Sequence, residues 1–165
     1  MRPELSRLSD SDDSPPMVAA DVARGVSRML LRHDCMAIAE VPLSDGRRAD
    51  LMAIDARGAI VIVEIKVSRA DLLGDAKWID YLAHCDRYFW AVPAGFDTGP
   101  LYQPAFLPER AGIIVADRYD AAILREAHSV PLSAPTRRKC TLAFARRAAR
   151  RVMAITDPDV PDPGF

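Results

Sequence analysis

Residues 59–67, AIVIVEIKV, begin as a strand apolar on both faces and then carry Glu64 and Lys66 two positions apart. An uninterrupted apolar run belongs at the centre of a sheet covered on both sides. Side chains alternate along a strand, so Glu64 and Lys66 share a face. Charges at the end of a buried strand need partners. The preceding hairpin offers one. If Ala56-Arg57-Gly58 is a three-residue loop with Gly58 left-handed, then Asp55 pairs with Ala59, Met52 with Ile62 and Asp50 with Glu64. Opposed residues hold their Cβ atoms about 4.5–5.5 Å apart. A two-residue turn would instead make Asp50 and Glu64 diagonal neighbours.

Two facing carboxylates suit a hard divalent cation, Mg²⁺ or in its place Mn²⁺. Mg²⁺ takes one or two protein carboxylates, keeps several waters and completes its shell with phosphate. Such a metal supplies a hydroxide-like nucleophile. Lys66, one pleat away, would orient the attacking water or offset developing negative charge. The plainer reading of the same residues is a semi-buried salt bridge across the sheet.

The rest of the chain frames this strand. Val18, Val22, Val26, Met29 and Leu30 recur at helical spacing and predict an amphipathic helix over 17–33. Gly25 costs it about 1 kcal/mol against Ala. Strands are expected at 36–43 and 47–54, joined by Asp45-Gly46 as a two-residue turn. Ser68 reads as an N-cap with Asp71 three residues on. The helix it opens runs to about His84, with Leu72, Ile79, Leu82 and Ala83 inward and Gly74 as a bend or a delayed start. Strands at 88–93, 112–117 and 121–127 flank a surface loop over 94–111. A basic helix closes the chain at 136–154. Residues 1–16 and 155–165 read as flexible tails around one domain, 17–154.

At 165 residues and half hydrophobic, the chain is long enough for one real core. Its three cysteines, Cys35, Cys85 and Cys140, have no metal spacing and read as reduced thiols of a cytoplasmic protein. No signal peptide and no membrane-spanning run are evident. The net charge of −1 hides an uneven distribution. Glu4, Asp10, Asp12 and Asp13 cluster at the start, and residues 137–151 hold seven Arg or Lys and no acid.

The order helix, three-strand meander, helix, strand, with Asp on the second strand and Glu-x-Lys on the third, resembles the PD-(D/E)xK nuclease superfamily. The stretches GRRADL (46–51), VEIKVSRADLLGDAKWIDYLAHCDRYFWAVP (63–93) and GIIVADRYDAAILREA (112–127) resemble, more specifically, the bacterial MmcB-like DNA-repair family. The resemblance covers about 17–154. It implies a restriction-endonuclease-like αβββαβ core, a mixed central sheet flanked by helices, and metal-dependent action on DNA near the nucleoid. By that pattern Asp50 and Glu64 bind metal and Lys66 is the catalytic lysine. The Pro-Asp of the superfamily's name is Ala49-Asp50 here. Many members carry a Glu in the first helix, where this chain has only Asp21. Glu40 is a candidate substitute, although a two-residue turn at Asp45-Gly46 would pair Val41 with Asp50 and turn Glu40 to the other face. Nucleases with a RecB-like core place Gln-x-x-x-Tyr after the lysine strand; here Lys77 and Tyr81 hold those places, four apart and so on one helix face.

Arg48, two before Asp50, is placed to hold a phosphate with its planar fork. Trp78, Phe89 and Trp90 are candidates for base stacking, against the commoner reading of aromatics as core. In the C-terminal helix Leu142, Ala145, Ala149, Val152 and Met153 form the expected apolar stripe, with Arg146, Arg147, Arg150 and Arg151 opposite. Like charges at that spacing destabilise an isolated helix, so they call for a polyanion, naturally DNA phosphate, or for acids of the protein body. A membrane surface fits less well, because the apolar side is mostly alanine. The sequence thus favours a Mg²⁺-dependent deoxyribonuclease of DNA repair, with other repair proteins as possible partners. The alternatives are a non-catalytic DNA-binding repair factor that keeps the nuclease fold, and an adaptor for an acidic protein.

Overall fold

The structure, a computed structural model, describes residues 16–161; the tails expected at 1–16 and 155–165 lie outside them except for Pro16 and residues 155–161. Helix α1 (Ala19–Arg32) is followed by β1 (Cys35–Pro42), β2 (Arg48–Asp55) and β3 (Ile60–Ile65). Helix α2 (Arg69–Gly74) and a 3₁₀ helix (Trp78–His84) lead to β4 (Arg87–Pro93). Strands β5 (Ala111–Ala116) and β6 (Ala121–Arg125) and helix α3 (Ala134–Thr156) complete the chain. The strands form one six-stranded sheet in sequence order, antiparallel except for the parallel pairs β3–β4 and β4–β5. This is the expected α/β class, a mixed sheet with helices on both faces.

Every residue of β3 is buried, as its unbroken apolar run requires. On one face Val22, Val26, Met29 and Leu30 of α1 cover Leu51, Val61, Val63 and Ile114. On the other, Met52 and Ile62 meet an aromatic layer of Trp78, Tyr88, Trp90 and Phe106, where Trp78 and Trp90 pack edge to face at 5.0 Å. Trp78, Phe89 and Trp90 are therefore core residues and not base platforms.

Both early hairpins use a three-residue loop with glycine in the left-handed region. Gly58 has φ +81° and Asp55 N–H donates to Ala59 O at 3.1 Å. Met52 pairs with Ile62 as expected. The turn at 44–46 differs from its expected two-residue form. Leu43 N–H donates to Arg47 O at 2.8 Å, with Gly46 at φ +85°. The extra residue shifts the register by one, so Val41 pairs with Ala49 and not with Asp50.

The single helix expected from Ser68 to His84 is broken in two. Ser68 caps α2 by accepting from Asp71 N–H at 3.1 Å. After Gly74 the backbone leaves helical space at Asp75 (ψ 80°), and the chain resumes as a 3₁₀ helix. With three residues per turn, Trp78 and Tyr81 share the inward face, and Ile79, expected inside, is exposed. Helix α3 is rotated from its expected setting. Cys140, Ala143 and Phe144 face the core, while Leu142, Val152 and Met153 of the expected apolar stripe are exposed.

One buried carboxylate locks α3 in place. Asp86, 2 % exposed, takes both terminal nitrogens of Arg137 at 2.7 Å and the N–H groups of Ile60 (2.7 Å) and Leu132 (2.8 Å). Burial alone would raise its pKa, but Arg137 and those N–H donors outweigh it and hold it below the usual aspartate value. Asp86→Asn should lower the unfolding free energy in urea at pH 7 by about 3 kcal/mol, because it leaves Arg137 without its counter-charge. A depressed carboxyl stabilises the fold above the unfolded pKa of about 3.9, and that share disappears as pH falls through the folded value. Wild type and variant should therefore converge in acid.

Gly25 has a packing role that helix propensity misses. A Cβ there would lie 2.0 Å from Asp117 O and 2.6 Å from Asp120 O. Helix α1 rests directly on the β5–β6 turn. Gly25→Ala, which favours an isolated helix by about 1 kcal/mol, should instead destabilise the protein by about 2 kcal/mol, read as a lower urea midpoint.

Candidate functional site

The β2–β3 ladder ends at Leu51–Val63. Beyond it the two strands are joined through side chains. Asp50 N–H donates to Glu64 Oε1 at 3.0 Å, and Ile65 N–H donates to Asp50 Oδ2 at 2.8 Å. Lys66 N–H has already turned to Ala91 O on β4, at 2.9 Å. The strands part, and the Asp50 and Glu64 carboxyls fill the fork. The register inferred for this pair thus holds.

The charge of Lys66 reaches both carboxyls of the fork but does not balance them. Burial, reinforced by the Asp50 charge, pushes the Glu64 pKa up to about 9. Burial also raises Asp50, partly offset by Ile65 N–H and Lys66. Lys66 points its ammonium at two other acids, Asp75 at 3.0 Å and Asp71 at 3.6 Å. Burial disfavours that ammonium, but the Asp75 hydrogen bond and charge, with Asp71 behind them, raise its pKa above the usual lysine value. Lys66 is a fixed cation and not a base. Sequence reasoning picked neither Asp71 nor Asp75 for the site. The Ser68 cap and the Gly74 break were visible, but not that α2 brings both acids back over the end of β3.

A cleft of about 380 Å³ opens here, walled by Ala19, Ala20 and Ala23 of α1 and reached by Glu40, Asp50, Glu64 and Lys66. The small side chains of α1 leave the space clear. Asp21 faces elsewhere, accepting from Val18 N–H at 3.2 Å and pairing with Arg118 at 3.8 Å. The corrected register, with Ala39 on Leu51 and Val41 on Ala49, sets Glu40 opposite Asp50, in the cleft and not on the other face. Its backbone is left-handed (φ +56°), and its carboxylate lies between Arg48 at 3.4 Å and Arg147 at 3.7 Å.

Among the described residues no three His, Cys, Asp or Glu side chains converge as a metal cage. Asp50 and Glu64, paired across the fork, fit Mg²⁺, which needs only one or two carboxylates and keeps its waters. Zinc, with its closed set of N and S ligands, does not fit these groups.

The other sequence candidates divide. Tyr81 is buried, and its hydroxyl donates to Arg48 O at 3.0 Å, bracing the strand beside the fork. Lys77 caps the 3₁₀ helix, is exposed and is not part of the cleft wall. The helix break removes the shared face expected for Lys77 and Tyr81. Arg48 is exposed at the cleft edge. Arg146 and Arg150 line a second groove between α3 and the β1–β2 turn. Arg147, read from the sequence with Arg146 and Arg150 as a DNA contact, has a side chain only 10 % exposed that reaches inward to Glu40, an acid of the protein body.

The fold and cleft define an α/β protein with an acidic fork beside a basic helix. The family model of DNA repair proteins described as MmcB-like matches residues 7–159, and the chain belongs to that family. Among solved structures it is similar to the SPO1766 protein of unknown function from Silicibacter pomeroyi, at 40% identity and TM-score 0.78, over 93% of this chain and 99% of that one. SfsA from Pyrococcus furiosus in complex with Ca²⁺ aligns at 12% identity and TM-score 0.36, over 67% of this chain and 64% of that one. Comparison with curated proteins found no match. No helix among the described residues is long and apolar enough to cross a membrane.

A carboxyl with a raised pKa destabilises its own fold once the unfolded chain can ionise. Metal-free protein should therefore lose stability as pH rises from about 4.5 towards 9, the folded value for Glu64. Glu64→Gln keeps the acceptor for Asp50 N–H and removes the ionisation. In EDTA it should flatten that slope and raise Tm at pH 8 by roughly 2–4 °C, the shift expected per kcal/mol for a domain of this size. Parallel wild-type and variant stability curves against pH would refute this account of the fork.

Proposed function

We propose that this member of a DNA-repair family is a divalent-metal-dependent deoxyribonuclease acting on phosphodiester bonds. The observation that carries the reading is the fork itself, where two carboxyls replace the backbone ladder in a buried strand pair and face each other beside Lys66, whose ammonium is engaged by Asp75 and Asp71. Asp50 and Glu64 would hold Mg²⁺ or Mn²⁺. When bound, such a metal supplies a hydroxide-like nucleophile and charge neutralisation at the phosphate.

The chain's own groups do the rest. Lys66, fixed by Asp75 and Asp71, orients the attacking water and offsets negative charge on the reacting phosphoryl oxygens. Arg48, exposed at the cleft edge, takes a flanking phosphate through its planar fork. Arg146 and Arg150 carry the DNA further along α3. Lys77 is left as an exposed cation for backbone contact only. A protein of this kind works on DNA in the cytoplasm, at the nucleoid.

One observation favours the second reading, a DNA-binding repair factor without catalysis. Glu40, the acid best placed to add a third ligand, is held by Arg48 and Arg147.

Cleavage of single-stranded, duplex, flapped and branched DNA with Mg²⁺ or Mn²⁺ decides between them. Wild type should cleave at least one substrate, and Lys66→Ala should lose at least about 10²-fold, the scale of removing one charge-stabilising group, with DNA binding retained. Binding without cleavage of any substrate would establish the second reading.

A further inference from the structure

The second groove lies between α3 and the β1–β2 turn and encloses about 500 Å³. Pro42, Leu43 and Leu142 wall it, and Lys139, Arg146 and Arg150 rim it. His84, which lines the groove, is paired with Asp45 at 3.0 Å, and Arg47 lies 3.7 Å from the same carboxylate. The electrostatics of the groove are therefore those of a cationic rim over an apolar interior.

We infer that this groove seats one unpaired DNA strand, its phosphates on Lys139, Arg146 and Arg150 and a base against Leu43 and Leu142, and feeds that strand to the acidic fork. The inference rests on the reading of the chain as a protein that acts on DNA. Three observations support it.

The first is size. The volume is that of a site enclosing one small organic molecule, which admits a nucleotide or two. A duplex can only rest on the rim. The second is chemistry. Phosphate binding needs cations, but a duplex presents only backbone and groove edges, with its base faces stacked away. An apolar wall between the cations is useful only to a base whose face is free, the combination that marks single-strand sites. Among the described residues no Phe, Tyr or Trp lines the groove and His84 supplies its one ring, so the base contact is mainly aliphatic packing and guanidinium stacking, without sequence preference.

The third is continuity. Arg147 lines this groove and also pairs with Glu40, which lines the acidic cleft. This ion pair links the linings of the two spaces. From Lys139 to Arg150 the helix rises about 16 Å, room for roughly five phosphates at the 3.4 Å spacing of a stacked strand.

The test is fluorescence anisotropy of the full chain in EDTA, so that cleavage plays no part, with a labelled ten-nucleotide dT strand and a blunt duplex of the same length. The single strand should bind at least tenfold tighter. Leu142, half exposed, can be changed without touching the core. Leu142→Gln should weaken the single strand about fivefold and leave the duplex within twofold. Arg146→Glu with Arg150→Glu should weaken both and reduce the salt dependence. Equal affinity for strand and duplex, no effect of Leu142→Gln, or no binding of the strand would each overturn the inference. Strand binding without cleavage in the nuclease assay leaves the groove standing and removes the nuclease. Cleavage without strand preference does the reverse.

Discussion

Asp86 joins parts of the protein that lie far apart in sequence. Its carboxylate ties the start of β3 through Ile60, the linker through Leu132 and the first turn of α3 through Arg137. Arg137 also donates to Gly58 O, in the β2–β3 loop, at 2.8 Å. A buried carboxylate is stable only when its acceptor sites are filled and its charge is matched. Here both conditions are met by groups that must arrive together, so the hairpin, the parallel crossover and the C-terminal helix assemble as one unit. The placement of α3, and with it everything its arginines do, follows from that clamp.

The acidic fork is the opposite case. Asp50 and Glu64 satisfy the backbone N–H groups that the parting strands expose, but burial and the Asp50 charge push the Glu64 pKa up to about 9. Lys66, the obvious counter-ion, is drawn to Asp71 and Asp75. Keeping the Asp50–Glu64 pair buried costs the fold stability at neutral pH.

Much of this fork was legible in the sequence, because it depends on local rules. Gly58 after Ala56-Arg57 signals a three-residue loop, and loop length sets register, which sets Asp50 against Glu64. The same rule misled at Asp45-Gly46. That dipeptide suits a two-residue turn, yet Ser44 joins it in a three-residue loop, and a shift of one residue moves Glu40 into the cleft. The α2 region misled for another reason. Helical spacing was present, but Asp75 leaves helical space beside Lys66, a contact that lies outside any sequence window.

By itself the sequence determined the elements, the central place of β3 and the pairing of Asp50 with Glu64, because strand burial, glycine loops and alternation act over a few residues. Only the tertiary structure decided which face of α3 turns inward, that Arg147 meets Glu40, and that Asp86 holds Arg137 from 51 positions away. Hydrophobicity alone selects Leu142, Val152 and Met153 for the core. The sheet instead accepts Cys140, Ala143 and Phe144, the face that the Asp86–Arg137 clamp at the helix start turns towards it.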